Sequence, residues 1–286
     1  MLFLFFCRTM NRNAAATNPD QARARQIYRY VCALFRDIHL PSHDETHHAR
    51  VWENAGILLK AFEVQGYTFD RMFTENLLLA SFFHDTGMIR ETGPSHGSFS
   101  RVFLTDYLKQ SAPDLSIYRP ALIAVEKHDD KTYLNEGDEL IRILGMADDM
   151  DAMGRIGIIR YLEIYLMREI SPGRIPCKVL TNLETRFAHM KKYFPHDQTL
   201  WNAQKVKYEL TRSFFQSACK ASGNRCGQTT CLKVVDLVKS RIIGKKESYK
   251  RLCHHVLENP FDDDIRVFFR GFLEEMQAYS QAGDQG

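Results

Sequence analysis

The chain has 286 residues, 44% hydrophobic and 26% charged, and a formal net charge of +3. That length can bury a sizeable core, in one large domain or in a core domain with an appendage. The composition is ordinary for a soluble globular protein, and the mild basic excess neither requires nucleic acid nor excludes a phosphate-bearing substrate.

In chain order, the opening "MLFLFFCRTM" is apolar but lacks a basic start and a small-residue cleavage site. It is too short to span a bilayer and a poor signal peptide. Residues 1–17 are therefore expected to be a disordered or mis-called N-terminal segment, with Met10 the favoured true start, and no other segment is expected to enter a membrane. Asn18-Pro19 reads as an N-cap followed by proline at the first helical position, opening a helix to about Ile38. A second helix is expected from about Asp44 to Gln65, with Val51, Ala55, Leu58, Leu59 and Phe62 on one face and Gly66 closing it. Asp70 can cap a third, which ends near His84-Asp85 before Thr86-Gly87. Further helices are expected over 95–110, 114–128, 137–152 and 155–169. Pro172, Gly173 and Pro176 punctuate the chain, and helical patterning resumes over 178–193, 198–221, 228–242, 246–258 and 262–280. "QAGDQG" reads as a frayed tail.

The expected fold class is thus all-α, with a helical domain over 18–172 and a C-terminal helical extension over 173–286. The seven cysteines (7, 32, 177, 219, 226, 231 and 253) form no Cys-x-x-Cys knuckle. Zinc-finger spacing is absent, and free thiols in a reducing cytoplasm are the expectation. Aromatic and basic clusters such as "WNAQKVKYEL" and "KKESYKRLCHH" read as helix packing with a solvated face, so nucleic acid is not an expected partner.

Seven of the eleven histidines fall between residues 39 and 128. The polar candidates in order are His43, His47, His48, His84-Asp85, His96, His128-Asp129, and then Asp148, Asp149 and Asp151 in "MADDMDAMG". Polar groups at the ends of apolar helices are expensive to bury unpaired, and a shared metal would satisfy many at once. Imidazole with carboxylate suits Zn, Fe, Mn or Ni. His43 and His47 lie four apart, so on a helix they share a face. Asp148 and Asp151 are one turn apart on another helix. His84 and Asp85 diverge by roughly 100° inside a helix, but at a terminus both can turn to one centre.

Taken in order, these residues resemble the HD superfamily of metal-dependent phosphohydrolases, whose signature is His, then His-Asp, then a distant Asp on a helical bundle. The first His corresponds to His47 in "HHARVWENA", with Val51 four residues on. The pair corresponds to His84-Asp85 in "LLLASFFHDTGM", and the last Asp to Asp148 in "GMADDMDAMGR". The resemblance covers about residues 40–170. His96 and His128 occupy the slots where two-metal members place two further histidines. It implies an HD-like helical bundle holding one or two divalent ions (Mn, Fe, Mg, Co, Ni or Zn) through His47, His84, Asp85, His96, His128 and Asp148, with Asp85 bridging. A one-metal site using only the four core ligands is the alternative.

His43 resembles the first His of the His-Asn-x-x-His element of cyclic-nucleotide phosphodiesterases, where it protonates the leaving oxygen; here Asp44 replaces Asn. A carboxylate beside His43 would favour its protonated form. Met88 stands where cyclic-dinucleotide phosphodiesterases carry Lys, which argues against that substrate. The implied activity is hydrolysis of a phosphate ester of a small molecule or nucleotide by a metal-activated hydroxide, with His43 and Asp85 catalytic. Arg50, Arg90, Lys127 and Lys131 are candidate phosphate holders. Alternatives on the same scaffold are a di-iron oxygenase and a non-catalytic regulatory module. The C-terminal helices are expected to pack on the core or to form a lid or homodimer element.

Overall fold

The computed structural model describes residues 19–112, 114–130, 138–221 and 229–282. The segment 1–17, Lys131, Cys7 and Cys226 lie outside them. The described residues are helical, with no strand among them, so the fold class is all-α. No helix among them is long and apolar enough to cross a membrane.

The helices are α1 (Pro19–Phe35), α2 (Glu45–Val64), α3 (Arg71–Phe83), α4 (His96–Ser111), α5 (Arg119–Lys127) and α6 (Glu139–Asp151). They continue as α7 (Gly154–Met167), α8 (Ile175–Tyr193), α9 (Gln198–Ala221), α10 (Thr230–Leu237), α11 (Tyr249–Glu258) and α12 (Asp263–Ala282). Short 3-10 turns cover Thr86–Ile89, Ser116–Tyr118 and Pro172–Arg174, and a π-helical turn covers Val238–Gly244. The last of these replaces the expected continuation of α10 to residue 242.

The chain forms two compact units, Met1–Asp148 with Gln277–Gly286, and Asp149–Met276. The division runs inside α6, between two adjacent aspartates, and the Pro172–Arg174 turn belongs to the second unit.

Local chemistry sets the helix ends of the first unit. Asp44 caps α2, its Oδ1 accepting from the Thr46 N–H at 2.9 Å, and Asp70 caps α3 by accepting from the Phe73 N–H at 2.6 Å. Side-chain caps of this kind satisfy donors that a helix start leaves open. Gly66 follows α2 with φ of +91°, a left-handed conformation that suits glycine. The apolar run Leu77–Phe83 is buried, and α3 packs against α1, α2, α4 and α5 as the central helix of this unit.

Asn76, buried on α3, holds the start of α5: its Oδ1 accepts from the Ala121 N–H at 3.1 Å, while its Nδ2 donates to the Ile117 carbonyl at 3.3 Å. Asn54 on α2 donates to the Ala147 carbonyl of α6 at 3.0 Å. These side-chain bonds tie the start of α5 to α3 and the last turns of α6 to α2.

Two glycines let α4 approach. A Cβ on Gly87 would lie 1.9 Å from the His96 carbonyl oxygen, and one on Gly97 would lie 2.5 Å from that of Glu126. The Gly87 N–H also donates to Ser100 Oγ at 2.7 Å, clamping the 3-10 turn onto α4. The opposing atoms are backbone and cannot swing aside, so any larger residue must push α4 away. Gly56, inside α2, has no such neighbour.

Gly87→Ala is expected to lower unfolding free energy by roughly 2–3 kcal/mol through overpacking. Gly56→Ala should raise it by roughly 0.5–1 kcal/mol, since alanine is the better helix former. Denaturant titration of both variants checks the contrast, and equal effects would remove the close-approach argument.

Candidate metal centre

The ends of five helices bring six side chains to one buried place in the first unit. His47 comes from the first turn of α2. His84 is the C-cap of α3 and Asp85 follows it. His96 begins α4, His128 is the C-cap of α5, and Asp148 lies on α6. With His43, none of these residues is more than 7% exposed.

The two oxygens of Asp85 divide the cluster. Oδ2 lies 3.4 Å from His47 Nε2 and 3.3 Å from His84 Nε2. Oδ1 lies 3.2 Å from His96 Nε2 and 3.1 Å from His128 Nε2. Asp148 Oδ1 completes the first group, 3.6 Å from His47 Nε2 and 4.0 Å from His84 Nε2. Each group could hold a metal ion: His47, His84, Asp85 and Asp148 on one side, Asp85, His96 and His128 on the other.

The orientation of the rings has a repeated cause. Nδ1 of His84 meets the Ser81 carbonyl at 2.9 Å, that of His96 the Gly93 carbonyl at 2.7 Å, and that of His128 the Val125 carbonyl at 2.9 Å. In each case the carbonyl is three residues back. A carbonyl oxygen can only accept, so each Nδ1 carries a proton and each Nε2, in a neutral ring, turns a lone pair inward.

The inward nitrogens nevertheless crowd. Nε2 of His47 and His84 are 3.1 Å apart, and those of His96 and His128 are 3.3 Å apart. Two neutral Nδ1-protonated rings such as His96 and His128 would oppose lone pair to lone pair, so a proton or a metal ion must lie between them. Without metal the proton takes that place. Burial pushes His96 down, but its hydrogen bond to Asp85, the charges of Asp85 and Asp129, and the Gly93 carbonyl raise it to about 9. Burial likewise opposes a charged His84, yet Asp85, Asp148 and the Ser81 carbonyl raise it above the ordinary histidine value.

Burial would lift the Asp85 carboxyl. The charge of His84 and hydrogen bonds from His128, His47 and His84 outweigh that and hold it well below the usual range. The carboxylate is therefore ionised, as a metal ligand must be.

His48 was among the sequence candidates but has another place. Its ring packs between those of Phe35, His47 and His84, with centroids 5.4, 5.4 and 5.1 Å away. Burial, then the charges of His84 and His47, hold it well below the usual histidine value, so it stays neutral and walls the site. Asp149 and Asp151 also separate from Asp148. Asp149 pairs with Arg186 at 2.5 Å and Asp151 with Arg160 at 3.1 Å, both inside the second unit. One turn of helix was therefore not enough to bring Asp151 to the cluster formed by Asp148.

His43 reaches the same centre, its Nε2 3.8 Å from Asp85 Oδ2 and its Nδ1 2.7 Å from Ser42 Oγ. Asp44, expected to act on His43, accepts at Oδ1 from both the N–H and the Oγ1 of Thr46. Among the expected phosphate holders, Arg50 is buried, donates to Thr46 Oγ1 at 3.2 Å and lies over the Tyr279 ring. Arg90 is exposed and lies over the Phe99 and Phe103 rings, 5.8 and 5.1 Å from their centroids. Lys127 is half-buried on the last turn of α5.

The carbonyls of Ser81, Gly93 and Val125 were not anticipated from sequence. A histidine at a helix end, three residues beyond the carbonyl, is the signal, and it has no residue type to mark it.

The raised His96 has a pH signature in chelator-treated protein. A group lifted from 6.5 to about 9 adds stability fully present below about pH 6.5 and lost as pH rises through about 9. Thermal unfolding of metal-free wild type and His96→Gln across pH 6–10 should therefore show a wild-type advantage that shrinks over that window. A pH-independent difference would contradict the assignment. Comparison with family models, with curated proteins and with solved structures found no match to this chain.

Proposed function

We propose that this chain is a metal-dependent phosphohydrolase of the HD type, hydrolysing a phosphate ester of a small molecule or nucleotide. The observation that carries the reading is the spacing of inward atoms. Donors about 2.1 Å from one first-row cation lie about 3.0–3.4 Å from one another in octahedral or tetrahedral arrangements. The separations around Asp85, from 3.1 to 3.4 Å on both sides of its carboxylate, match that requirement. The donor set of imidazoles and carboxylates, three of its rings fixed by carbonyls behind them, fits a divalent ion in each group.

In this reading His47, His84, Asp148 and Asp85 Oδ2 would hold one ion, and Asp85 Oδ1, His96 and His128 would hold a second. Such ions supply a nucleophile at neutral pH and neutralise charge on phosphoryl oxygens. His43 serves as proton donor to the leaving oxygen through Nε2, with Ser42 Oγ fixing the ring from the opposite nitrogen. Arg50, Lys127 and Arg90 are the proposed phosphate holders, and Lys131 lies outside the described residues.

Protein purified without chelator is expected to contain divalent metal and to release phosphate or an alcohol from some member of a phosphatase and phosphodiesterase panel. His84→Ala and Asp85→Ala should lose both metal and activity. His43→Ala should keep its metal while turnover falls by about 10²–10⁴-fold, the usual share of a general acid. Normal turnover by the His84 and Asp85 variants would remove this centre from the reaction. Iron as the bound metal, with oxygen consumed and no phosphate released, would instead favour the oxygenase.

A further inference from the structure

A second chemically reactive pair lies in the second unit, apart from the histidine cluster. Cys177 sits in the first turn of α8 and Cys219 near the end of α9, and their Sγ atoms are 2.8 Å apart. Both thiols are free; Cys177 is exposed and Cys219 half-buried.

Their proximity follows from the register of an antiparallel helix pair. Phe187 of α8 stacks on Tyr208 of α9 with centroids 3.7 Å apart and rings 8° from parallel. Phe187 also stacks on Trp201 at 5.1 Å. One turn back along α8, Glu184 accepts from Tyr208 Oη at 2.8 Å and from Arg212 Nε at 3.2 Å. Moving down α8 therefore means moving up α9, from 187 with 208, through 184 with 212, to 177 with 219. The thiols meet because the same register that stacks the aromatic rings brings residue 177 opposite residue 219. Helical packing of this kind is rigid, and the sulfurs need to close by only about 0.8 Å to reach bonding distance.

We propose that Cys177 and Cys219 are a modification site, forming a reversible intramolecular disulfide that staples the open end of the α8–α9 hairpin when the protein meets a small-molecule disulfide. The exposed Cys177 thiolate attacks one sulfur of the oxidant, whose S–S bond breaks and whose first half leaves as a thiol. Cys219, as thiolate, then attacks Cys177 Sγ and expels the second half. Two protein thiols are oxidised to one disulfide, and one small disulfide is reduced to two thiols. Burial, then the hydrogen bond and charge of Cys177, push Cys219 up to about 11. Exposure lets Cys177 meet the oxidant first, and the half-buried Cys219 acts second. Cys231 is fully buried, its thiol pushed up to about 12 by burial and then by Cys219, and takes no part.

The test uses the full chain and oxidised glutathione. After incubation, alkylation and proteolysis, mass spectrometry should find one linked peptide pair joining Cys177 to Cys219, and dithiothreitol should release it. Oxidised wild type should melt several degrees above its reduced form, because the cross-link restricts the unfolded chain. Cys177→Ser and Cys219→Ser should each show neither the link nor the shift. Glutathione retained on Cys177, a link from Cys219 to Cys226 or Cys231, or no link at all would each overturn the proposal. None of these readouts depends on the metal centre.

Discussion

One buried carboxylate organises the first unit. Asp85 sits among four inward-facing imidazole nitrogens at 3.1–3.4 Å, and burying that charge is unfavourable unless each oxygen is matched. The match comes from helices far apart in sequence, so the packing of α2, α3, α4 and α5 and the electrostatics of Asp85 are one problem. The crowded nitrogens call for a positive charge between them, a ring proton or a metal ion. The raised His96 and depressed Asp85 are two expressions of that demand.

Helix termini solve the orientation problem. His84 and His128 occupy C-caps, where carbonyls of the last turn lack helical partners, and each histidine uses one such carbonyl to lock its Nδ1. His96 does the same from the start of α4, using the loop carbonyl of Gly93. One structural expedient thus both satisfies backbone acceptors left open at helix ends and presents lone pairs to the centre. It works only if the helix ends are held to within a few tenths of an ångström. Gly87 and Gly97 provide that by letting backbone touch backbone, and Asn54 and Asn76 provide it by bonding across helices.

The second unit shows similar economy with different chemistry. Its buried aspartates, 149 and 151, are matched by Arg186 and Arg160 and need no metal. The aromatics of "WNAQKVKYEL" that sequence reading assigned to packing are found in stacked contact with Phe187. The register that these rings enforce is what brings two thiols together at the far end of the hairpin.

The sequence by itself determined the helices and most of their ends. Asp70 and Gly66 are local signals, and their chemistry acts over a few residues whatever the rest of the chain does. Ordered histidines and aspartates at helix ends were also legible, because spacing along one chain survives folding. Spacing alone did not say which of them meet; the resemblance implied a set of six, and only the tertiary structure brings their inward atoms together. The resemblance singled out Asp148, and in the structure Asp148 lies with the histidine cluster while Asp149 and Asp151 pair with Arg186 and Arg160, since a helix rotates successive side chains to different neighbours. The carbonyls behind the histidines, the glycine contacts and the opposition of Cys177 and Cys219 were illegible for the same reason: each depends on where a distant helix lies, and no local rule specifies that.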